Sequence, residues 1–155
     1  MKKGHIKSRD VLLYKDGGRS GEFEPHVTLI GDGFPFDEAA INEHVYRLRA
    51  ARDLGQSFLF LWLSSGLARE EMRIKGTGVA IPELNSTQVK SLKILIPSTP
   101  LANAFARLVE PCIAGVLWNC KQSRTLAVLR DALLPKLISA EIRLDNFGYF
   151  VERQP

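Results

Sequence analysis

Glycine clusters, three histidines and scattered carboxylates are the residues from which an active site could be built in this 155-residue chain. A glycine-rich loop can cradle phosphate on its backbone N–H groups, so the clusters at Gly17-Gly18, Gly31-Asp32-Gly33 and Gly76-Thr77-Gly78 are tested first. Gly76-Thr77-Gly78 is followed by Val79, Ala80 and Ile81, so the third glycine of a dinucleotide fingerprint is missing, and no Gly-Lys-Ser/Thr occurs for a P-loop. His5, His26 and His44 lie far apart without HxxxH or HExxH spacing, and each is read as a strand-surface or loop residue. Asp10, Glu22 and Glu24 are the carboxylates nearest to a metal-nuclease set, but the Asp–Glu–x–Lys arrangement is absent, and geometry decides whether any two of them work as a pair. Cys112 and Cys120 stand eight apart in a helical pattern, with neither zinc spacing nor a disulfide framework, and are read as small core or interface residues of a reducing compartment. The expectation is a protein without catalysis, metal or cofactor of its own.

Basic residues suit another task. The net charge is +4, compatible with a polyanion partner without demonstrating one. Arg and Lys on glycine-flanked loops can enter a nucleic-acid groove without a bulky neighbour, and Arg can bind guanine through two hydrogen bonds. Lys15, Arg19, Arg69, Arg73, Lys75 and Thr77 are on or beside such loops and outside the predicted core, so they form the candidate set for contacts to phosphates or bases, should the partner be a nucleic acid.

Those loops need a scaffold, and the chain supplies a mixed one. Residues 8–14 cluster Val11, Leu12 and Leu13 and read as a strand, with Asp16-Gly17-Gly18 as a turn and Arg19-Ser20-Gly21 as a flexible basic loop. His26-Val27-Thr28-Leu29-Ile30 is a second strand, and His44-Val45-Tyr46-Arg47-Leu48-Arg49 alternates as a third. A helix is expected over 56–73. Asn85 with Gln88 three places on resembles a capping box opening a short helix through Leu92. Lys93-Ile94-Leu95-Ile96-Pro97 reads as a short strand closed by proline. The run Phe58-Leu59-Phe60-Leu61-Trp62-Leu63 is too short to span a bilayer, which takes about 20 residues, and Met1-Lys2-Lys3 leads into polar sequence, so a cytoplasmic protein is expected.

From Leu101 onward the strand signal disappears. Phe105, Leu108, Cys112 and then Leu126, Leu129, Leu133 and Leu137 recur at steps of three and four, an a/d-like seam with a polar gap at Asn119 and Gln122. Pro111 either kinks this helix or marks its start. The seam could pack on the globule, but a partner helix is favoured, because a long apolar face exceeds what a small domain can cover. The fold class is therefore α+β: a mixed α/β domain over 1–98, a helix over 99–144 that is coiled-coil-like, and a tail over 145–155. No internal repeat is present.

The segment Leu129-Arg130-Asp131-Ala132-Leu133-Leu134-Pro135-Lys136-Leu137-Ile138-Ser139, completed by Glu141-Ile142-Arg143-Leu144, resembles the closing segment of the specificity (S) subunits of Type I DNA restriction–modification systems, with Ala140 where that pattern usually has Gly. Asp10-Val11-Leu12-Leu13 resembles the GDIL-type strand of their target recognition domain, with Arg9 replacing the usual Gly. Ile41-Asn42-Glu43-His44-Val45 is similar to the stretch in which an Asn leads into a strand, and residues 76–97 resemble the run that closes that domain. Order and spacing together carry the likeness over about residues 7–144.

The resemblance implies a target recognition domain that contacts double-stranded DNA, followed by a conserved helix that pairs antiparallel and sets the spacing between half-sites. It implies methyltransferase (M) and restriction/motor (R) subunits as partners, supplying the S-adenosylmethionine and ATP chemistry. A full S subunit alternates two such domains and two such helices, so this chain corresponds to half of one, pairing as a homodimer or with another S half-subunit through Phe105, Leu108, Leu126, Leu129, Leu133 and Leu137. On this resemblance the chain is expected to start downstream of the family's opening strand. The alternative expectation is a helical assembly module that pairs with S or methyltransferase subunits without binding DNA.

Overall fold

In the computed structural model, described for residues 4–32, 34, 38–50, 54–78 and 82–142, the chain divides into two compact units, Met1–Trp118 and Asn119–Pro155. The first unit is built round strand β1 (Val11–Tyr14), which is central in an antiparallel sheet of order β4-β1-β5 with β4 (Val27–Leu29) and β5 (Val45–Leu48). Val11 pairs with Leu29 on one side and Leu48 on the other. Being flanked on both edges and covered by packing, Val11, Leu12 and Leu13 are all buried, which is why β1 reads as a continuous apolar run rather than an alternation.

The expected helix over 56–73 is two helices, α1 (Gln56–Ser64) and α2 (Gly66–Lys75). Ser65 breaks them: its backbone is extended (φ −68°, ψ 154°), and its hydroxyl accepts from the Ala68 N–H as an N-cap. Gln56, the first residue of α1, ties the helix to the sheet. Its amide donates to the Arg9 and Leu48 carbonyls (2.8 and 3.2 Å) and accepts from the Ala50 N–H (2.6 Å). Leu63, Ala68 and Met72 then close over Val11, Leu13, Phe23 and Leu84 to make the core.

The basic loop expected at 16–21 is a second, two-stranded sheet, β2 (Gly18–Arg19) against β3 (Glu22–Phe23). The Asn85–Gln88 capping box is present and opens α3 (Ser86–Lys90), which stops two residues short of Leu92. The strand expected at 93–97 does not form. Both edges of β1 are already taken, the Lys93 N–H donates to the Glu71 carboxylate (3.2 Å), and Leu95 and Ile96 are exposed.

Helix α4 (Thr99–Ile138) runs unbroken through Pro111 and Pro135, so Pro111 is not its start. Its turns up to Trp118 belong to the first unit: Ala102 and Ile113 are buried, and the Phe105 ring meets Phe58 edge-on at 5.5 Å. In the second unit Leu126, Val128, Leu129, Leu133, Leu134 and Ile138 are exposed and Leu137 is half-buried. Among the described residues α4 alone is long and apolar enough to cross a membrane by length and composition. It also carries Arg107, Glu110, Lys121, Arg124, Arg130, Asp131 and Lys136, a charge load expensive in lipid. Residues 143–155, including the tail and Arg143-Leu144, lie outside the described residues.

Candidate nucleic-acid interface

The expected DNA-binding residues come from just past the end of β1 (Lys15), the β2–β3 hairpin (Arg19), helix α2 (Arg69, Arg73 and Lys75) and the segment that follows it (Thr77). The hairpin is fixed from two sides. Gly18 has φ +101°, and a Cβ there would lie 2.1 Å from the Glu22 carbonyl oxygen, so the tight pairing of these strands requires glycine. Phe23, one residue beyond Glu22, is buried in the core, with its ring so close to Gly76 that a Cβ on Gly76 would fall within 2.7 Å of it. The end of α2 and the hairpin are thus locked together by packing.

Arg69 and Arg73, one helical turn apart on α2, converge on Glu24 beside the hairpin. Arg73 donates to the Glu24 carboxylate, and Arg69 stands 3.8 Å from it while donating to the Pro25 carbonyl at 3.5 Å. The Arg73 hydrogen bond is the main cause that holds the Glu24 carboxyl below its ordinary pKa, and the same bond raises that of Arg73. Lys75 ends α2 with its ammonium 3.6 Å from Glu71 and 3.0 Å from the Ser91 hydroxyl. Thr77 is bridged to Glu83 through backbone hydrogen bonds in both directions, and its hydroxyl lies 3.5 Å from the Gln88 amide. Lys15 reaches Glu83 at 3.1 Å, and that hydrogen bond raises its pKa. Arg19, by contrast, makes no ion pair among the described residues. It lines an open cleft of about 560 Å³ together with Gly18, Glu22, Glu24 and His26.

Glu24 gathers Arg69 and Arg73 beside the hairpin, Glu83 meets both Lys15 and Thr77, and most of the charge of the six residues is already answered by carboxylates that the sequence reading did not pair with them: Glu24, Glu71 and Glu83. The Glu71–Lys75 pair is an i,i+4 spacing within α2 and was legible in the sequence, whereas Glu24 and Glu83 meet their cations only through the fold. Asp10, Glu22 and Glu24, weighed above as a metal-nuclease set, are not assembled into one. The Asp10 carboxylate is held by Arg49, and Glu24 faces the arginines of α2. No group of three or more His, Cys, Asp or Glu side chains able to hold a metal ion occurs among the described residues.

The helix residues expected to meet a partner divide between the units. Phe105 packs on Phe58, while Leu108, Leu126, Leu129 and Leu133 are exposed. Cys112 and Cys120, expected in a core or interface, are exposed free thiols in this chain.

No protein-family model matches the chain. The architecture is that of an α+β protein with a long C-terminal helix. The chain is 30% identical over 147 residues to the Type I restriction enzyme MjaIX specificity subunit of Methanocaldococcus jannaschii, a match that covers 91% of this chain and 33% of that subunit. The chain thus spans about a third of the length of this relative, and the likeness supports the specificity-subunit resemblance at the level of the family.

Proposed function

We propose that this chain is a DNA-recognition module of a Type I restriction–modification system, equivalent to one target recognition domain and one conserved helix of a specificity subunit. The observation that carries the reading is the likeness to the MjaIX specificity subunit, which spans nearly the whole chain and takes in both the α/β unit and the helix. In this reading the face carrying Lys15, Arg19, Arg69, Arg73, Lys75 and Thr77 lies against duplex DNA in the cytoplasm. Ion-paired lysines and arginines exchange their carboxylate partners for phosphates, while loop side chains contact base edges. The exposed leucines of α4 are the docking surface for a second S module or for a methyltransferase subunit, which with a motor/nuclease subunit performs the chemistry. The chain itself turns over no substrate.

The test is a titration of fluorescent 40-bp duplex DNA with the purified chain, alone and with its methyltransferase partner, over a salt series. Binding that weakens linearly in log–log form as salt rises is expected. Duplex binding absent under every condition would defeat the recognition role and leave α4 as an assembly element.

A further inference from the structure

Arg19 and Glu22 are register partners across the β2–β3 hairpin, and both are exposed. Directly opposed residues in an antiparallel pair project from the same face, with Cβ atoms about 4.5–5.5 Å apart. Opposite charges at that spacing ordinarily join, yet neither side chain makes an ion pair or hydrogen bond among the described residues. The nearby cations behave differently: Lys15, Arg69, Arg73 and Lys75 are each held by a carboxylate. The hairpin thus offers one donor group and one acceptor group without a close partner, Glu22 acting on Arg73 only as a more distant charge, side by side along the cleft lined by Arg19, Glu22, Glu24 and His26. Glu24 does not compete for Arg19, because its carboxylate is occupied by Arg73.

The geometry points to Arg19 and Glu22 as a paired reading head for a single G·C base pair, an inference that rests on the DNA-recognition reading above. In the major groove guanine presents two acceptors, O6 and N7, which match the forked guanidinium. Its cytosine partner presents the N4 amino donor beside them, which matches a carboxylate. An A·T pair presents one purine acceptor, N7, next to its donor and leaves half of the guanidinium unmatched. A carboxylate on a DNA-facing hairpin is repelled by phosphate unless it meets a base amino group, so Glu22 is the informative member of the pair. The head is also held rigidly. The Gly18 backbone packs so tightly on the opposite strand that a Cβ there would meet the Glu22 carbonyl oxygen at 2.1 Å, and Phe23, the residue after Glu22, is anchored in the core against Gly76. Rigid placement on a short strand pair is what base reading by two side chains requires.

The experiment is selection of a random-sequence duplex library by the full-length chain, followed by sequencing. Arg19→Ala, Glu22→Gln, the double variant and Lys75→Ala are carried in parallel. Wild type is expected to enrich a motif with one position held as G·C by about tenfold or more. Arg19→Ala and Glu22→Gln should each relax that same position to near-even use while leaving the other positions intact. The double variant should be no worse than either single one, and Lys75→Ala should keep the full motif at lower affinity. Variants that retain the G·C preference overturn the inference. So does a Glu22→Gln protein that binds every sequence more tightly without losing selectivity, since that is the behaviour of a merely solvated carboxylate. A wild type that binds no duplex brings down the DNA-recognition reading itself. That failure appears in the unmodified chain, whereas failure of the reading head appears only in the variants.

Discussion

Arg9 pairs with Glu110 at 3.2 Å, joining the turn before β1 to helix α4, and it does so from a left-handed backbone with φ +68°. A non-glycine residue in that region carries about 1–2 kcal/mol of strain. The side chain also lies 3.4 Å from the Ser57 hydroxyl, so what it gains by reaching α1 and α4 offsets what its backbone loses. Arg9→Ala keeps the strain and discards the contacts, whereas Arg9→Gly discards both. Urea unfolding should therefore rank Arg9→Ala about 1 kcal/mol below Arg9→Gly. Equal midpoints, or the reverse order, would refute the account.

Asp10 is only 3% exposed and takes a two-pronged hydrogen bond from Arg49, at 2.7 and 2.9 Å. Burial pushes its carboxyl up, but the Arg49 hydrogen bond, the Lys7 N–H and the positive charges of Arg49 and Arg47 together outweigh that and hold it below the ordinary value. A depressed folded-state pKa means that the ionised carboxylate stabilises the fold above the unfolded value near 4, and that this contribution is lost as pH falls through the lowered one. Asp10→Ala should cost about 1–3 kcal/mol at pH 7. Denaturation followed from pH 7 down to pH 2 should show the gap between variant and wild type closing below about pH 4.

Glu24 neutralises the arginines of α2 on the proposed DNA face. Because its carboxyl is held low by Arg73, it stays charged throughout the neutral range. Glu24→Gln is expected to tighten binding to all duplexes and steepen the salt dependence by up to about one unit for each arginine it frees. Lys75→Ala should act oppositely, weakening every duplex alike and flattening the slope by about one unit. Fluorescence anisotropy across a salt series measures both, and a Glu24→Gln slope no steeper than wild type would place these arginines away from phosphate.

Leu129 and Leu133 sit one turn apart on the exposed apolar stripe of α4. Changing both to Asp would force charge into any helix–helix contact made there and cost several kcal/mol of association. The variant should elute as a smaller species than wild type in size-exclusion chromatography. The unit Met1–Trp118 contains neither residue and should keep its wild-type melting temperature. A wild type that remains monomeric at high concentration and passes its methyltransferase partner unbound would dispose of the docking role.

Much of the scaffold was legible because its signals are local. The strand at β1 follows from Val11-Leu12-Leu13, the α3 cap from the Asn85–Gln88 spacing, and α4 from apolar residues at steps of three and four. Local signals also misled. The apolar density over 56–73 hid the Ser65 break, although Ser65-Gly66 carried the cap that explains it, and the β-rich run at 93–97 joins no strand, its Lys93 N–H donating to the Glu71 carboxylate instead. The two positions where the family resemblance expects glycine, Arg9 and Ala140, are the two non-glycine residues with positive φ among the described residues (+68° and +56°). A backbone requirement was thus readable as a substituted glycine.

The sequence by itself determined the composition of the proposed face: its glycines, its basic residues and the apolar stripe of the helix following it. Which of those basic residues are open was decided by tertiary structure. Glu24 reaches Arg73 from 49 residues away along the chain, and Lys15 lies against Glu83. Arg19 and Glu22 are close in sequence, but it is the register of a hairpin locked by Phe23 and Gly76 that sets them opposite one another, with neither in an ion pair among the described residues. Charge pairing depends on distances of a few ångströms, and only the packing of the core fixes those distances.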